Sequence, residues 1–128
     1  MFKASTLLRF GFSKLHSKYL VIGGGSGGLS ITSHLIRSGV DAHQIRVIDP
    51  SPYHYYQPGW TMVGAGMWQI HSTRKEMDKT IPAEVQLTKD AVTRINPDDN
   101  TVSSKSGQEY HYDTLVVASG LQLQYHKI

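Results

Sequence analysis

Two short runs of apolar residues lie near the two ends of the region after residue 18. The first covers residues 19–22 and ends at a group of glycines, and the second covers residues 114–118 and ends at Ser119 and Gly120. Uninterrupted apolar runs of this length are typical of strands that are buried on both faces of a parallel sheet. We therefore expect these two strands to be neighbours in one sheet.

A helix and another strand are predicted after the first run. Apolar residues recur at helical spacing from Leu29 to Ile36, and Gly39 supplies the left-handed residue that ends many helices. Residues 45–48 form a second apolar strand, which the prolines of the segment 49–52 end, because proline cannot donate to a ladder. Strand, helix and strand together predict a right-handed βαβ unit.

The rest of the chain shows a different pattern. Residues 53–68 are rich in aromatic residues, Gly and Pro, which indicates a loop with a short helix, and a polar connector follows up to residue 82. Short strand-like segments then alternate with turn residues and predict a small antiparallel meander: residues 85–87, 91–95, 101–103 and 109–112. The predicted fold class is α/β, a Rossmann-like βαβ unit with a parallel sheet plus this meander.

The first 18 residues contain no acid and carry four cations, which are Lys3, Arg9, Lys14 and Lys18. Spaced cations among hydroxyl and apolar residues are typical of a mitochondrial presequence, so we predict one over residues 1–18 and a domain over residues 19–128. The alternative is a tail without an addressing role. Charge is roughly balanced elsewhere, which argues against a nucleic-acid partner, and no apolar stretch is long enough to span a bilayer.

Gly23, Gly25 and Gly28 satisfy the pattern G-x-G-x-x-G. In this pattern the first glycine makes a tight turn, the second lets the backbone approach a pyrophosphate, and the third allows close packing of helix on strand. Ser26 and Gly27 lie where amide groups at the helix start attract phosphates. The pattern alone is weak, but a strand before it and a helix after it favour a dinucleotide site.

Asp49 ends the second strand about 20 residues after the glycines, where an acid accepts hydrogen bonds from the ribose of a bound dinucleotide. Its charge disfavours a 2′-phosphate and therefore NADP. The alternative interpretation is that Asp49 only begins an Asp-Pro turn.

Two features favour FAD over NAD as the dinucleotide. A simple nicotinamide dehydrogenase continues with alternating strands and helices, whereas an aromatic loop and a meander follow here. The strand that ends at Ser119 and Gly120 is similar to a second flavin motif ending in Ala-Thr-Gly, with Ser in place of Thr. A buried strand with an ordinary Ser-Gly turn is the alternative.

Residues 53–66, Tyr-His-Tyr-Tyr-Gln-Pro-Gly-Trp-Thr-Met-Val-Gly-Ala-Gly, closely resemble a loop of the mitochondrial sulfide:quinone oxidoreductases. The agreement extends to residues 21–28, 81–82, 95–98 and 120–125. The resemblance implies a flavoprotein that oxidises sulfide and passes electrons through FAD to ubiquinone, attached peripherally to the inner mitochondrial membrane. It also implies site roles, which are Ser26 and Gly27 on the pyrophosphate, Asp49 on the ribose, Gln57 beside the cofactor and the Val92 backbone near the adenine.

The chain contains no cysteine, whereas the resembled family uses a cysteine pair as a reactive disulfide for sulfide. We therefore expect no catalytic residue here, and we expect the chain to be the truncated N-terminal part of a two-dinucleotide-domain flavoprotein, inactive alone. Two alternatives remain, an NADH:quinone-type flavin oxidoreductase and a non-catalytic dinucleotide-binding remnant. The seven histidines lack the short spacings of metal ligands, so no metal site is predicted; His54 lies in the cofactor loop, where packing is its favoured role.

Overall fold

The computed structural model describes residues 15–122 and 124–127. Residues 1–14 of the predicted presequence lie outside the described residues. The strands are β1 (His16–Ile22), β2 (Ile45–Ile48), β3 (Tyr53–Tyr55), β4 (Arg74–Glu76), β5 (Gln86–Thr88), β6 (Val92–Asn96), β7 (Thr101–Ser104) and β8 (Glu109–Val117). The α-helices are α1 (Ser26–Arg37) and α2 (Trp60–Gly64), and short 3-10 turns lie at Ala42–Gln44, Gln57–Gly59, Ile70–Thr73, Met77–Lys79 and Tyr125–Lys127.

The predicted βαβ unit is confirmed. β1 and β2 are parallel, with Tyr19 opposite Ile45 and Ile22 opposite Ile48. α1 connects them and ends before Gly39, whose φ of +91° is the left-handed conformation that the sequence predicted. Within the described residues, no helix is long and apolar enough to cross a membrane.

β1 begins at His16, three residues before the predicted strand. The acid-free composition of residues 1–18 predicts that residues 16–18 belong to a presequence, but His16 and Ser17 are aligned with His111 and Tyr112 of β8. Pairing with a neighbouring strand has extended β1 into polar sequence. Periodicity alone cannot reveal such an extension, because it depends on a partner almost 100 residues away along the chain.

The parallel strands and the meander form one six-stranded sheet in the order β5-β2-β1-β8-β7-β6. The prediction that the last strand lies parallel to the first is confirmed. The predicted break between residues 109–112 and 114–118 is wrong, because β8 is continuous and its first residues also pair antiparallel with β7. The strand predicted at 85–87 belongs to the parallel part, since β5 pairs parallel with β2.

Apolar side chains pack on both faces of the sheet. One cluster lies with the meander residues and consists of Leu20, Ile22, Ile48, Val102, Tyr110 and Tyr112. The other has Leu29, Ile31, Leu35 and Ile36 of α1 packed against Val21, Ile45, Val47, Met77, Ile81 and Val85. Because successive strand residues point to opposite faces, β1 supplies both clusters.

Arg46 is a buried cation beside the apolar cluster of the meander. Its guanidinium donates to the hydroxyls of Ser17 (3.2 Å) and Thr88 (2.8 Å) and to the side chain of Gln86, and its Cζ lies 5.1 Å from the ring centroid of Tyr110. Burial lowers the pKa of Arg46, and the nearby Tyr110 opposes this. The planar guanidinium thus links β1, β2, β5 and β8 through several donors at once.

A two-stranded antiparallel sheet that the sequence did not predict joins the aromatic loop to the polar connector. β3 pairs with β4, which places His54 opposite Lys75. Two further backbone hydrogen bonds extend this pairing, from Tyr56 N to Thr73 O (2.7 Å) and from Met77 N to Pro52 O (2.9 Å). The loop is therefore attached to a fixed partner on each side of His54.

Asp90 fixes the turn between β7 and β8. Hydrogen bonds lower the pKa of Asp90 to about 2. The largest effect comes from the hydroxyls of Ser106 and Ser104, and a smaller one from the N–H groups of Ala91 and Ser106. The distances from Asp90 oxygens to these two N–H groups are 2.7 and 3.3 Å. The carboxylate thus joins the start of β6 to the turn that follows β7.

We predict that Asp90→Asn makes the stability of the fold less dependent on pH in the acidic range. The lowered pKa means that the ionised Asp90 stabilises the fold above the ordinary carboxyl pKa of about 3.9, and that this contribution disappears as pH falls toward 2. Urea unfolding between pH 6 and 2 should show a shallower loss of stability for Asp90→Asn than for the unsubstituted chain. Asp98→Asn, at an exposed turn position, serves as the control, and equal slopes for all three proteins would contradict the assignment.

Candidate functional site

The ends of β1, β2 and β8 meet at one edge of the sheet. Backbone hydrogen bonds connect the three strand ends, from Gly23 N to Ile48 O (2.9 Å) and from Ala118 N to Ile22 O (2.8 Å). A cleft of about 490 Å³ opens at this edge, within the size range of roughly 300–1,000 Å³ that is usual for small-molecule sites. It is lined by Gly23, Gly25, Ser26, Gly27, Asp49, Gln57, Ala118, Ser119, Gly120 and Leu121.

The cleft brings together most of the residues that the sequence singled out. Of the predicted site residues, only Gly28 and Val92 are absent from its lining. Gly28 is buried at the start of α1, which suits the packing role expected of the third glycine. Val92 lies in β6, where it is aligned with Ser104 and its side chain packs against the meander cluster. Its role toward an adenine stays a prediction.

Gly23 and Gly28 are the glycines that steric contact requires. A Cβ on Gly28 would lie 1.8 Å from the carbonyl oxygen of Gly23, far inside any van der Waals contact. Gly23 has a φ of +102°, and a Cβ there would lie 2.4 Å from the carbonyl oxygen of Ala118. The turn out of β1 and the close approach of α1 therefore both exclude side chains, as the spacing of the motif predicts.

Gly25 and Gly27, by contrast, face open space. A Cβ on Gly25 would meet no atom within 4 Å, and one on Gly27 would meet only the Cβ of Ala118 at 3.7 Å. Gly25 is the N-cap of α1. Within the described residues, no side chain accepts a hydrogen bond from the first turn of this helix, and the turn contains no acidic residue. A helix start with free space and uncapped amide groups is suited to a phosphate.

Asp49 has two backbone partners. Its Oδ2 accepts the N–H of Gly24 at 2.6 Å, and its Oδ1 accepts the N–H of Ser51 at 2.7 Å. The two interpretations that the sequence left open for Asp49 are therefore compatible. The acid closes the Asp-Pro turn and holds the glycine loop, and each carboxylate oxygen keeps a lone pair for a further donor such as a ribose hydroxyl.

Gly24 occupies the variable position after the first glycine of the motif, where the pattern requires no particular residue. A Cβ on Gly24 would lie 2.8 Å from Sδ of the buried Met77, so the loop rests on that side chain. Its carbonyl oxygen lies 3.2 Å from Nδ1 of His54. Neither contact is foreseeable from spacing, because Met77 and His54 reach Gly24 only through the pairing of β3 with β4.

Gln57 and Ser119 approach the glycine loop from other parts of the chain. Gln57 begins the 3-10 turn Gln57–Gly59, and Pro58 follows in the first turn, where its missing N–H is not needed. Gly120 has a φ of +71°, and a Cβ there would have no atom within 4 Å. Gln57 and Ser119 are both exposed and both line the cleft. In the described part of the chain, no group of His, Asp and Glu residues could hold a metal ion.

The chain is similar to known flavin-related oxidoreductases. The family model for pyridine nucleotide-disulphide oxidoreductases matches residues 17–128. The mitochondrial sulfide:quinone oxidoreductase of Mus musculus is 40% identical over 116 residues, which are 91% of this chain and 26% of that protein. The mitochondrial sulfide:quinone oxidoreductase of Dictyostelium discoideum is 39% identical over 112 residues, which are 88% of this chain and 25% of that protein.

A solved structure gives the same comparison in three dimensions. The sulfide:quinone oxidoreductase of Aquifex aeolicus superposes with a TM-score of 0.70 at 28% identity, over 86% of this chain and 25% of that chain. This likeness confirms the predicted fold class. The chain spans about a quarter of the length of the relatives it matches.

The contrast between Gly28 and Gly25 predicts that the same substitution destabilises the fold at one position and leaves it nearly unchanged at the other. Gly28→Ala should destabilise the fold by roughly 1–3 kcal/mol, because the new methyl group forces α1 away from the Gly23 carbonyl. Gly25→Ala should change the free energy of unfolding by less than about 0.5 kcal/mol, since its Cβ enters open space. Urea unfolding followed by circular dichroism measures both, and equal midpoints for the two variants would refute the packing role of Gly28.

Proposed function

The chain belongs to the pyridine nucleotide-disulphide oxidoreductase family, and from this premise we propose that it is the FAD-binding part of a sulfide:quinone oxidoreductase. In the proposed activity, sulfide is oxidised, and electrons pass through FAD to ubiquinone. The observation that carries the proposal is the cleft at the end of β1, where the glycine loop, Asp49 and Gln57 converge.

The residues present fit FAD. The open space beside Gly25 and Gly27 leaves room for a pyrophosphate at the start of α1, where Ser26 and Gly27 would hold it. Asp49 would accept the ribose hydroxyls with the lone pairs that its backbone donors leave. FAD, when bound, supplies an acceptor for two electrons.

The far side of the cleft supports a flavin over a nicotinamide dinucleotide. Gln57 lies at the rim together with Ser119 and Gly120, and all three belong to segments that a simple βαβ nucleotide site lacks. A neutral amide such as Gln57 both donates and accepts, which suits the polar edge of a flavin ring. Near Gly120 the backbone offers space without a Cβ in the way.

Sulfide and quinone as substrates are supported by likeness to the relatives, which are sulfide:quinone oxidoreductases. The chain has no cysteine. In this proposal, the thiols that react with sulfide and the quinone site belong to parts of the relatives' length that this chain does not span. The proposed role of the present residues is to bind and orient FAD, with the Val92 backbone toward the adenine.

The proposed location is the mitochondrion, with peripheral attachment to the inner membrane. Two relatives are mitochondrial proteins by name. The acid-free segment before β1, with Lys3, Arg9 and Lys14, supplies the composition of an import sequence. Because β1 begins at His16, we place the end of the proposed presequence before that residue.

Gly25→Ala tests the cofactor site. Its Cβ would occupy the space proposed for the pyrophosphate, so FAD affinity should fall at least tenfold, about 1.4 kcal/mol, although the fold is retained. Titration of FAD followed by flavin fluorescence measures the affinity, and stabilisation by added FAD in thermal unfolding is an independent measure. Ser30→Ala, at an exposed position of α1, is the control; equal affinity for FAD in Gly25→Ala and in the unsubstituted chain would contradict the proposed site.

The electron donor separates the proposed activity from its alternatives. In a protein that combines these residues with the remaining length of the relatives, sulfide should bleach the flavin absorbance under anaerobic conditions, whereas NADH should leave it unchanged. Bleaching by NADH alone would instead favour an NADH:quinone-type oxidoreductase. Absence of any bound flavin would favour a non-catalytic remnant.

A further inference from the structure

We propose that His54 is a positioning residue for the dinucleotide cleft. Its imidazole holds the carbonyl group of Gly24 and so fixes the orientation of the peptide that leads into the start of α1. This inference rests on the proposed FAD site, which it deepens by assigning a role to a residue outside the cleft lining.

Two successive peptide groups around Gly24 each have a side-chain partner. The N–H of Gly24 donates to Asp49 Oδ2 at 2.6 Å, and the carbonyl oxygen of Gly24 lies 3.2 Å from His54 Nδ1. Met77 closes a third side, because its Sδ lies 2.8 Å from the place of a Cβ on Gly24. The loop is therefore fixed by an anion, a hydrogen-bond donor and a buried side chain.

The carbonyl orientation matters because a peptide group is planar. The C=O of Gly24 and the N–H of Gly25 belong to one trans peptide, so they point in opposite directions. While His54 holds the carbonyl, the N–H of Gly25 is directed away from His54, and Gly25 itself lines the cleft. A flip of this peptide would reverse its dipole and would turn the carbonyl oxygen toward a bound phosphate. The hydrogen bond from His54 opposes that flip.

The same contact requires a proton on Nδ1 of the His54 ring. A carbonyl oxygen can only accept, so Nδ1 must carry the proton that is shared with Gly24. In the neutral ring this is the Nδ1–H tautomer, and the protonated ring also donates from Nδ1. His54 can therefore hold Gly24 in either protonation state, and the tautomer is an observable consequence of the contact.

The β3–β4 pairing holds the imidazole in place. His54 lies opposite Lys75 in this small sheet, and its half-buried ring lines a second cleft together with the aromatic side chains of Tyr56 and Trp68. The backbone bond from Tyr56 N to Thr73 O, at 2.7 Å, continues the pairing just beyond His54. His54 thus transmits the position of the aromatic loop to the glycine loop.

Affinity for FAD in three variants tests the role. His54→Phe keeps a ring but removes the donor, and the loss of one hydrogen bond should weaken FAD binding roughly three- to tenfold. His54→Asn should restore binding to within about twofold, since the side-chain amide of Asn donates from a position close to that of Nδ1. His71→Phe, at an exposed histidine of the neighbouring 3-10 turn, should bind FAD like the unsubstituted chain.

A measurement without cofactor completes the test. Nitrogen NMR of the imidazole in the unsubstituted chain should show neutral His54 as the Nδ1–H tautomer, and the Nε2–H tautomer would overturn the inference. If the unsubstituted chain binds FAD and His54→Phe binds it equally well, only the positioning role fails. If the unsubstituted chain does not bind FAD, the proposed function fails, together with the role of His54 in it.

Discussion

The architecture of the cleft depends on the contact between the first turn of α1 and the end of β1. The carbonyl oxygen of Gly23 occupies the place that a Cβ of residue 28 would need, so the helix can approach the strand only when that residue is glycine. This approach directs the N-terminus of α1 at the cleft and lays Leu29 and Leu35 on the sheet. The same contact therefore determines both the packing of the helix and the placement of its free amide groups.

The sheet edge places the remaining residues around this contact. Parallel strands bring their carboxyl ends to one side, which puts Asp49 after β2 and Ser119 after β8 next to the glycine loop. A backbone hydrogen bond from Asp49 N to Thr88 O, at 3.0 Å, extends this arrangement to β5. The site thus follows from strand order, because residues far apart in sequence meet only where their strands end.

Sequence reasoning located the features that arise from local patterns. The βαβ unit was predictable because apolar periodicity, Gly39 and the glycine motif all lie within one continuous segment. The position of Asp49 at the end of β2 was predictable, because the length of the connecting helix fixes how many residues separate it from the glycines. The roles of Gly23 and Gly28 were predictable from the spacing of the glycine motif.

The features that sequence reasoning missed all require a distant partner. The three residues of β5 are too few to show which strand they pair with, and β3 and β4 are equally short and carry polar residues. The start of β1 at His16 depends on β8 in the same way. His54 belongs to this group, since its contact with Gly24 exists only because β3 is fixed against β4.

Asp49 orders the glycine loop through hydrogen bonds within the chain itself. Since the N–H of Gly24 is taken by Asp49, that amide is not available to a phosphate, and the uncapped amides of the first turn of α1 are the groups left for it. The arrangement has an advantage, because a loop that is ordered during folding does not have to be ordered during binding. The carboxylate at the end of β2 thus stabilises the glycine loop through two backbone N–H groups, and in the proposed site its remaining lone pairs accept hydrogen bonds from ribose hydroxyls.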